Sequence, residues 1–295
     1  MLLQSLILFL LATNLLTTGC QSGQTYDEPK RHFHTVDYVD VGKQMNRVPT
    51  PYIVDVSHQS KRLIFIGCDH IRDSTNKQFA VIQRCFSQLK PQVAFNEGGQ
   101  INESVHYSSL NKAAFEAGET GCLKYLSDQA GVHLLNGDTP DSLEFALTLK
   151  RFPKEEMYLY YVMERIVIPY LSFGNQKESF ETYFNDGVKW LVNNDFPLAS
   201  HEQTFAYFND LYQKYIKRPF VPALTGDVEK FDYINGGDCH FCALGRQSKM
   251  IRDSILLTKL DQALDQYNRI IVTFGKGHAL AVKPALIQIM NKDRR

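Results

Sequence analysis

The sequence predicts an α/β fold: a mainly parallel central sheet flanked by helices, with a helical insertion over about residues 141–217. Three observations predict it. Short apolar, β-type runs alternate with helix-patterned segments in the front half of the chain, an order that implies parallel strands joined by helical crossovers. Four of these runs stop at glycine: Leu63-Ile64-Phe65-Ile66 at Gly67, Gln92 to Glu97 at Gly98-Gly99, Val132 to Asn136 at Gly137, and Ile270 to Phe274 at Gly275. A long helix-patterned stretch rich in Tyr, Phe and Leu separates the front strands from the last one.

Taken in order, Tyr52-Ile53-Val54-Asp55-Val56 and Arg62 to Ile66 read as two strands around the polar turn Ser57 to Lys61, together a hairpin. Asp73 to Lys90 reads as a helix capped by Asp73 or Ser74. Its Phe79, Ile82, Cys85, Phe86 and Leu89 fall on one face, and Pro91 ends it. The strand Gln92 to Glu97 follows. A helix from about Asn111 to Ala130, interrupted near Gly118 to Gly121, leads into the strand Val132 to Asn136 and the turn Gly137-Asp138-Thr139-Pro140. The stretch from Asp141 to about Lys217 reads as a helical layer over the sheet, a lid or substrate wall whose aromatics form core. Pro219 to Gly245 reads as irregular, Arg246 to Gln266 as a helix, Arg269 to Phe274 as the last strand, and His278 to Asn291 as the closing helix.

Composition narrows the function classes. The chain has 295 residues, 44% hydrophobic and 22% charged, with 32 basic and 32 acidic residues and no formal net charge. No basic stripe with interleaved aromatics stands out, so nucleic acid is not expected as a partner. Leu2 to Leu16 is almost wholly apolar and uncharged, too short to span a membrane comfortably but suited to a signal-peptide core. It runs into Leu16-Thr17-Thr18-Gly19-Cys20, which resembles a bacterial lipoprotein signal. That resemblance implies a signal segment over residues 1–20, export, and a lipid anchor through Cys20. Residues 21–50 are then expected as a polar tether, and residues 51–295 as a single domain. Apart from Cys20, five cysteines remain, too few for a disulfide scaffold at this size.

Two Gly-x-x-His turns stand near opposite ends of the chain: Gly67-Cys68-Asp69-His70 and Gly275-Lys276-Gly277-His278. Each follows a strand. Glu97 ends a third strand and Asp138 a fourth, and in a parallel sheet all four point to the edge beyond the strands' carboxyl ends, where ligands bind. Two imidazoles and a carboxylate can hold a divalent metal and leave room for water and substrate. Without a metal, a His oriented by Glu97 can act as general base. Taken singly, each residue has a plainer reading: Glu97 as a solvated turn or helix cap, Asp138 as a cap before Thr139-Pro140, Arg252-Asp253 as a surface pair. Cys68 reads as a small packed residue, or else as a ligand or nucleophile beside His70. Cys239-His240-Phe241-Cys242 reads first as two packed or loop cysteines, with a local disulfide or half of a zinc site as alternatives.

The ordered set of Gly67 and His70, Glu97, Arg252 with Asp253, and Gly275 with His278 resembles a known superfamily. It joins the Tiki proteases, the TraB/PrgY pheromone-shutdown proteins, the GumN-like proteins, the erythromycin esterases and the ChaN haem-binding lipoproteins. Glu119 resembles the second acidic position of that set, and Asp138 the Asp that ends a later strand. The likeness spans about Tyr52 to Met290. It implies an α/β fold with a pocket where both His and the two Glu meet, serving as a divalent-metal hydrolase site in the Tiki branch and as a metal-free His base in the esterase branch. The Gly98-Gly99 pair and the aromatic insertion depart from the family pattern.

These readings lead to an exported, membrane-anchored hydrolase in which His70, Glu97 and His278 activate water. A divalent metal (Mn, Co or Zn) on those three residues is one expectation. Arg252 is expected at the oxyanion, with Glu119, Asp138 and Asp253 in support, and a peptide, ester or other small molecule as substrate. The alternatives are a non-catalytic haem- or metal-binding lipoprotein and a signalling protein that binds a peptide through its helical insertion.

Overall fold

The computed structural model describes residues 33–99, 101–173, 179–223 and 225–292. The expected signal segment and Cys20 lie outside these residues. Within them, five strands form one sheet in the order β1-β2-β5-β3-β4, parallel except for the antiparallel β1–β2 pair. The α/β class and the mainly parallel sheet are thus as the alternation of apolar runs predicts.

The chain enters through helix α1 (Tyr38–Met45), capped by Asp37, whose side chain accepts from the Val39 N–H. Tyr38 and Val41 are buried against α10, and the Val36 N–H bonds the Ala281 carbonyl. This corrects the reading of residues 21–50 as tether: from Val36 onward the segment is packed into the fold. The expected hairpin follows as β1 (Tyr52–His58) and β2 (Lys61–Cys68). Helix α2 (Lys77–Leu89) starts later than its pattern suggested, because Asn76 caps it while Asp73 folds back on Thr75. Strand β3 (Val93–Asn96), helix α3 (Leu110–Ala130) and strand β4 (His133–Asn136) come next. The interruption in α3 is a kink at Ala117 and Gly118, where Gly118 has φ +58°, a value that favours glycine.

The insertion holds helices α4 (Asp141–Leu149), α5 (Lys154–Val162), α6 (Ile168–Phe173), α7 (Phe180–Asn193) and α8 (Phe205–Ile216), with a π-helical turn over Met163–Val167. Its aromatics pack into their own core, as expected. Helix α9 spans His240–Gln266, six residues earlier than the sequence pattern suggested, before β5 (Arg269–Gly275) and α10 (Lys276–Met290). No helix among the described residues is long and apolar enough to cross a membrane.

Period-two alternation divides the strands between two cores. Leu63 and Phe65 of β2, Phe95 of β3 and Val272 of β5 meet α9 and α10. Ile64 and Ile66 of β2, Ala94 of β3 and Ile271 of β5 meet α2 and α3 on the other face. A sheet covered on both faces has only its strand ends open, and that is where the four strand-end residues gather.

Candidate functional site

His70, Glu97, Asp138 and His278 sit where strands end, whereas Glu119 comes from within α3 and Arg252 and Asp253 from within α9. His70 follows β2. The approach of β2 to α10 is close: a Cβ on Gly67 would lie 2.7 Å from the Ala279 Cβ. Glu97 follows β3, on a turn whose Gly98 and Gly99 have φ of +88° and +94°, the left-handed region open to glycine. The Asn96 amide donates to the Glu97 and Gly99 carbonyls at 2.8 and 2.9 Å and holds that turn in place. His278 lies in the first turn of α10, directly after β5.

The two imidazoles face one carboxylate. His70 Nε2 lies 3.8 Å from Glu97 Oε2, and His278 Nε2 lies 3.6 Å from Glu97 Oε1. Each ring is held from behind by a carboxylate of its own: His70 Nδ1 by Glu119 Oε1 at 2.6 Å, and His278 Nδ1 by Asp253 Oδ1 at 2.6 Å. A carboxylate at Nδ1 keeps the proton there, so the Nε2 of a neutral ring presents its lone pair. The Tyr38 hydroxyl donates to Asp253 Oδ2 at 2.8 Å and lies 3.0 Å from His278 Nδ1, so its oxygen shares the Nδ1 proton with Asp253.

Glu97 is fixed from two sides. Arg252 Nη2 donates to its Oε1 and the Gly275 N–H to its Oε2, both at 2.6 Å. Arg252 also makes a two-pronged pair with Asp138, Nε to Oδ1 at 2.8 Å and Nη2 to Oδ2 at 2.7 Å. The Gly98 N–H donates to Asp138 as well. Arg252, expected at an oxyanion, is therefore committed to two buried carboxylates and acts by holding Glu97. Asp138, whose plainer reading was a helix cap, is instead the partner of Arg252; α4 begins without a side-chain cap.

The charges follow from these contacts. Burial alone would push the Glu97 carboxyl up, but Arg252, the two imidazoles and the Gly275 N–H hold it well below the usual carboxylate range. Asp138 is lowered for the same chief reason, the Arg252 guanidinium. The hydrogen bond to Glu119 raises His70 to about 9, helped by the negative charge of Glu97 and opposed by burial. His70 is thus an imidazolium at neutral pH. Burial and Asp253 push the Tyr38 phenol up, so it stays a donor.

A cavity of about 550 Å³ opens over this cluster. The cavity is also lined by groups the sequence reading missed: Tyr233, and Lys249 paired with Glu164 at 2.9 Å. Lys249 precedes Arg252 by three residues on α9, the spacing that puts two side chains on one helix face. Glu164 was legible as a lone acid inside the apolar run Tyr158 to Val167. Cys68 is buried in the core between the sheet and α2 and α3, and burial pushes its thiol far up; it is the small packed residue of the first reading. Cys239 and Cys242 form a disulfide, which corrects the leading expectation of two unlinked cysteines.

Every residue expected at the site is therefore in one cluster: His70, Glu97, His278, Arg252, Glu119, Asp138 and Asp253. The described residues hold no group of three or more His, Cys, Asp or Glu arranged to grip a metal ion. No family model, curated protein or solved structure matches the chain.

Proposed function

We propose that this chain is a hydrolase of the Tiki/TraB-like kind that activates water between two carboxylate-backed imidazoles. The observation that carries the reading is the meeting of His70 and His278 at Glu97, each ring backed by its own carboxylate. Two oriented imidazoles within reach of one carboxylate are the ingredients of acid–base catalysis. His278 Nε2, with its Nδ1 proton held by Asp253 and Tyr38, takes the proton from water. The His70 imidazolium steadies the developing oxyanion and returns a proton to the leaving group. Glu97, fixed by Arg252 and Gly275, sits between the rings and orients the water. The substrate is an ester or peptide small enough for the cavity, whose charged wall of Asp69, Glu164, Lys249 and Lys276 suits a polar molecule better than haem. Export and anchorage through Cys20 complete the reading, and the Cys239–Cys242 disulfide supports an oxidising compartment.

The test is hydrolysis of a panel of ester and peptide substrates by the full-length protein, beside His70→Gln and His278→Gln. Turnover by the parent and its loss in both variants is expected; turnover that survives in either variant contradicts the reading.

A second reading has its own support. Carboxylates on both Nδ1 atoms are the usual setting of metal-bound histidines. On this reading His70, Glu97 and His278, which do not form a metal-gripping group as they stand, would draw together around a divalent Mn, Co or Zn ion, which would acidify bound water. Metal analysis of the purified protein with and without chelator, together with its absorption spectrum, separates this from the metal-free and haem-binding readings.

A further inference from the structure

The Cys239–Cys242 disulfide does not line the cavity over the imidazoles and has no part in the chemistry above. It joins residues three apart at the start of the 27-residue helix α9. Cross-linking stabilises more the longer the loop it closes, and this one joins residues only three apart. The bond ties together a helical turn that backbone hydrogen bonding already orders. A stability role is therefore a weak reason for it.

Its placement suits exchange chemistry instead. Cys239 occupies the N-cap of α9 and is partly exposed, whereas Cys242 in the first turn is fully buried. No side chain caps the first turn of α9. The N–H groups there lack intrahelical partners, and in most helices a Ser, Thr, Asp or Asn oxygen would accept from one of them. In this helix the N-cap side chain ends in a sulfur, which in the closed form lies 3.3 Å from the Lys230 carbonyl oxygen rather than on a first-turn N–H. As half of a disulfide it is neutral and a poor acceptor; as a thiolate it would complete the cap and meet the positive end of a long helix dipole. Opening the bond thus supplies a contact that the closed form lacks. The approach is from solvent: Gly237 and Asp238, next to the motif, are exposed, and Cys239 itself is partly exposed. The free thiols among the described residues, Cys68, Cys85 and Cys122, are all buried, so the exchange partner comes from outside the described fold.

We infer that Cys239 and Cys242 form a thiol–disulfide exchange site that accepts electrons from an external dithiol. A substrate thiolate attacks Sγ of Cys239, forming a mixed disulfide and releasing Cys242 as a thiolate that takes up a proton. The second substrate thiol, on giving up its proton, attacks its own sulfur in the mixed disulfide and releases Cys239 as a thiolate held at the helix start. Two electrons pass from the substrate to the pair, and the substrate leaves with a new disulfide.

The test uses the full-length protein, a reduced two-cysteine peptide as substrate, and mass spectrometry after alkylation. One disulfide should form in the peptide for each Cys239–Cys242 pair reduced, with the same yield in His70→Gln. With a one-cysteine peptide, which cannot complete the second step, alkylation of the parent protein during the reaction should trap the mixed disulfide on Cys239 and place the alkyl group on the released Cys242. In the reduced parent protein at pH 6, iodoacetamide should label Cys239 at least about fivefold faster than an unstructured cysteine. This last measurement needs no variant to fold. The proposal is overturned if millimolar reduced glutathione leaves the bond intact, if the adduct forms on Cys242, or if Cys239 is labelled no faster than the reference thiol.

Discussion

The Tyr38 hydroxyl lies 3.0 Å from Nδ1 of His278, a residue 240 positions away in sequence. It also donates to Asp253 Oδ2, so a residue from the first described helix joins the His–Asp pair at the other end of the chain. Tyr38→Phe keeps the ring and removes one donor from an Asp253 that is 1% exposed. Removing a partner from a buried polar group costs about 1–3 kcal/mol. Denaturant unfolding is expected to show a loss in that range, and steady-state kinetics a fall in kcat with KM little changed. An unchanged kcat would remove Tyr38 from the positioning of His278.

Arg252 is the counterion of both Glu97 and Asp138, and all three are buried. Arg252→Met leaves two carboxylates without a cation in a water-poor site. Breaking a buried pair by removing one partner costs about 3–5 kcal/mol, and urea unfolding checks the value. The Glu97 carboxyl should titrate higher in the variant, because its largest charge-stabilising partner is gone. An exposed pair would have shown a loss near zero.

His70 gives the pH dependence. Its folded value of about 9 lies above the ordinary 6.5, so the folded state holds the proton more tightly than the unfolded one. The stability this supplies is present in full below pH 6.5 and is lost as pH rises through about 9. The His70 side chain is 60% exposed, so solvent screens the interaction and the change in unfolding temperature should be small. Proton NMR of the ring is the direct check: the titration midpoint should fall in Glu119→Gln. Activity should decline on the alkaline side with the same midpoint, as the imidazolium is lost.

Gly67 tests how the fold seats His70. A Cβ there would meet the Ala279 Cβ at 2.7 Å and the Lys276 Cα at 3.0 Å. The second atom is backbone and cannot swing aside. Gly67→Ala should cost about 1–3 kcal/mol by overpacking and should lower activity by pushing β2 and α10 apart. Thermal unfolding reads the first effect.

Much of this was legible in the chain because it depended on local pattern. Strands such as Leu63 to Ile66 and Ile270 to Phe274 announce themselves by apolar β-branched and aromatic runs, and a His or Glu after a strand-ending glycine is forced to the sheet's carboxyl edge. Hence His70, Glu97 and His278 could be named beforehand. The pairings that decide their roles were not legible. Nothing local marks Arg252 as the counterion of Asp138 rather than an oxyanion donor, since that depends on how α9 crosses β4. Tyr38 was hidden because its short helix has a polar exposed side and gains its structure from packing on α10. The early start of α9 was hidden for a related reason: Cys239 offers no capping signature, so the six residues from His240 to Gly245 looked like the irregular segment before them.

The convergence of His70 and His278 on one reaction is tested most directly by a double-variant cycle on kcat/KM for the best substrate of the panel. His70→Gln and His278→Gln should each lose on the order of 10²–10⁴-fold. On the proposed mechanism the two rings serve one step, so the double variant should lose little more than the worse single variant, as groups acting as a unit do. Losses that multiply fully, or a single variant that keeps the parent rate, would contradict it.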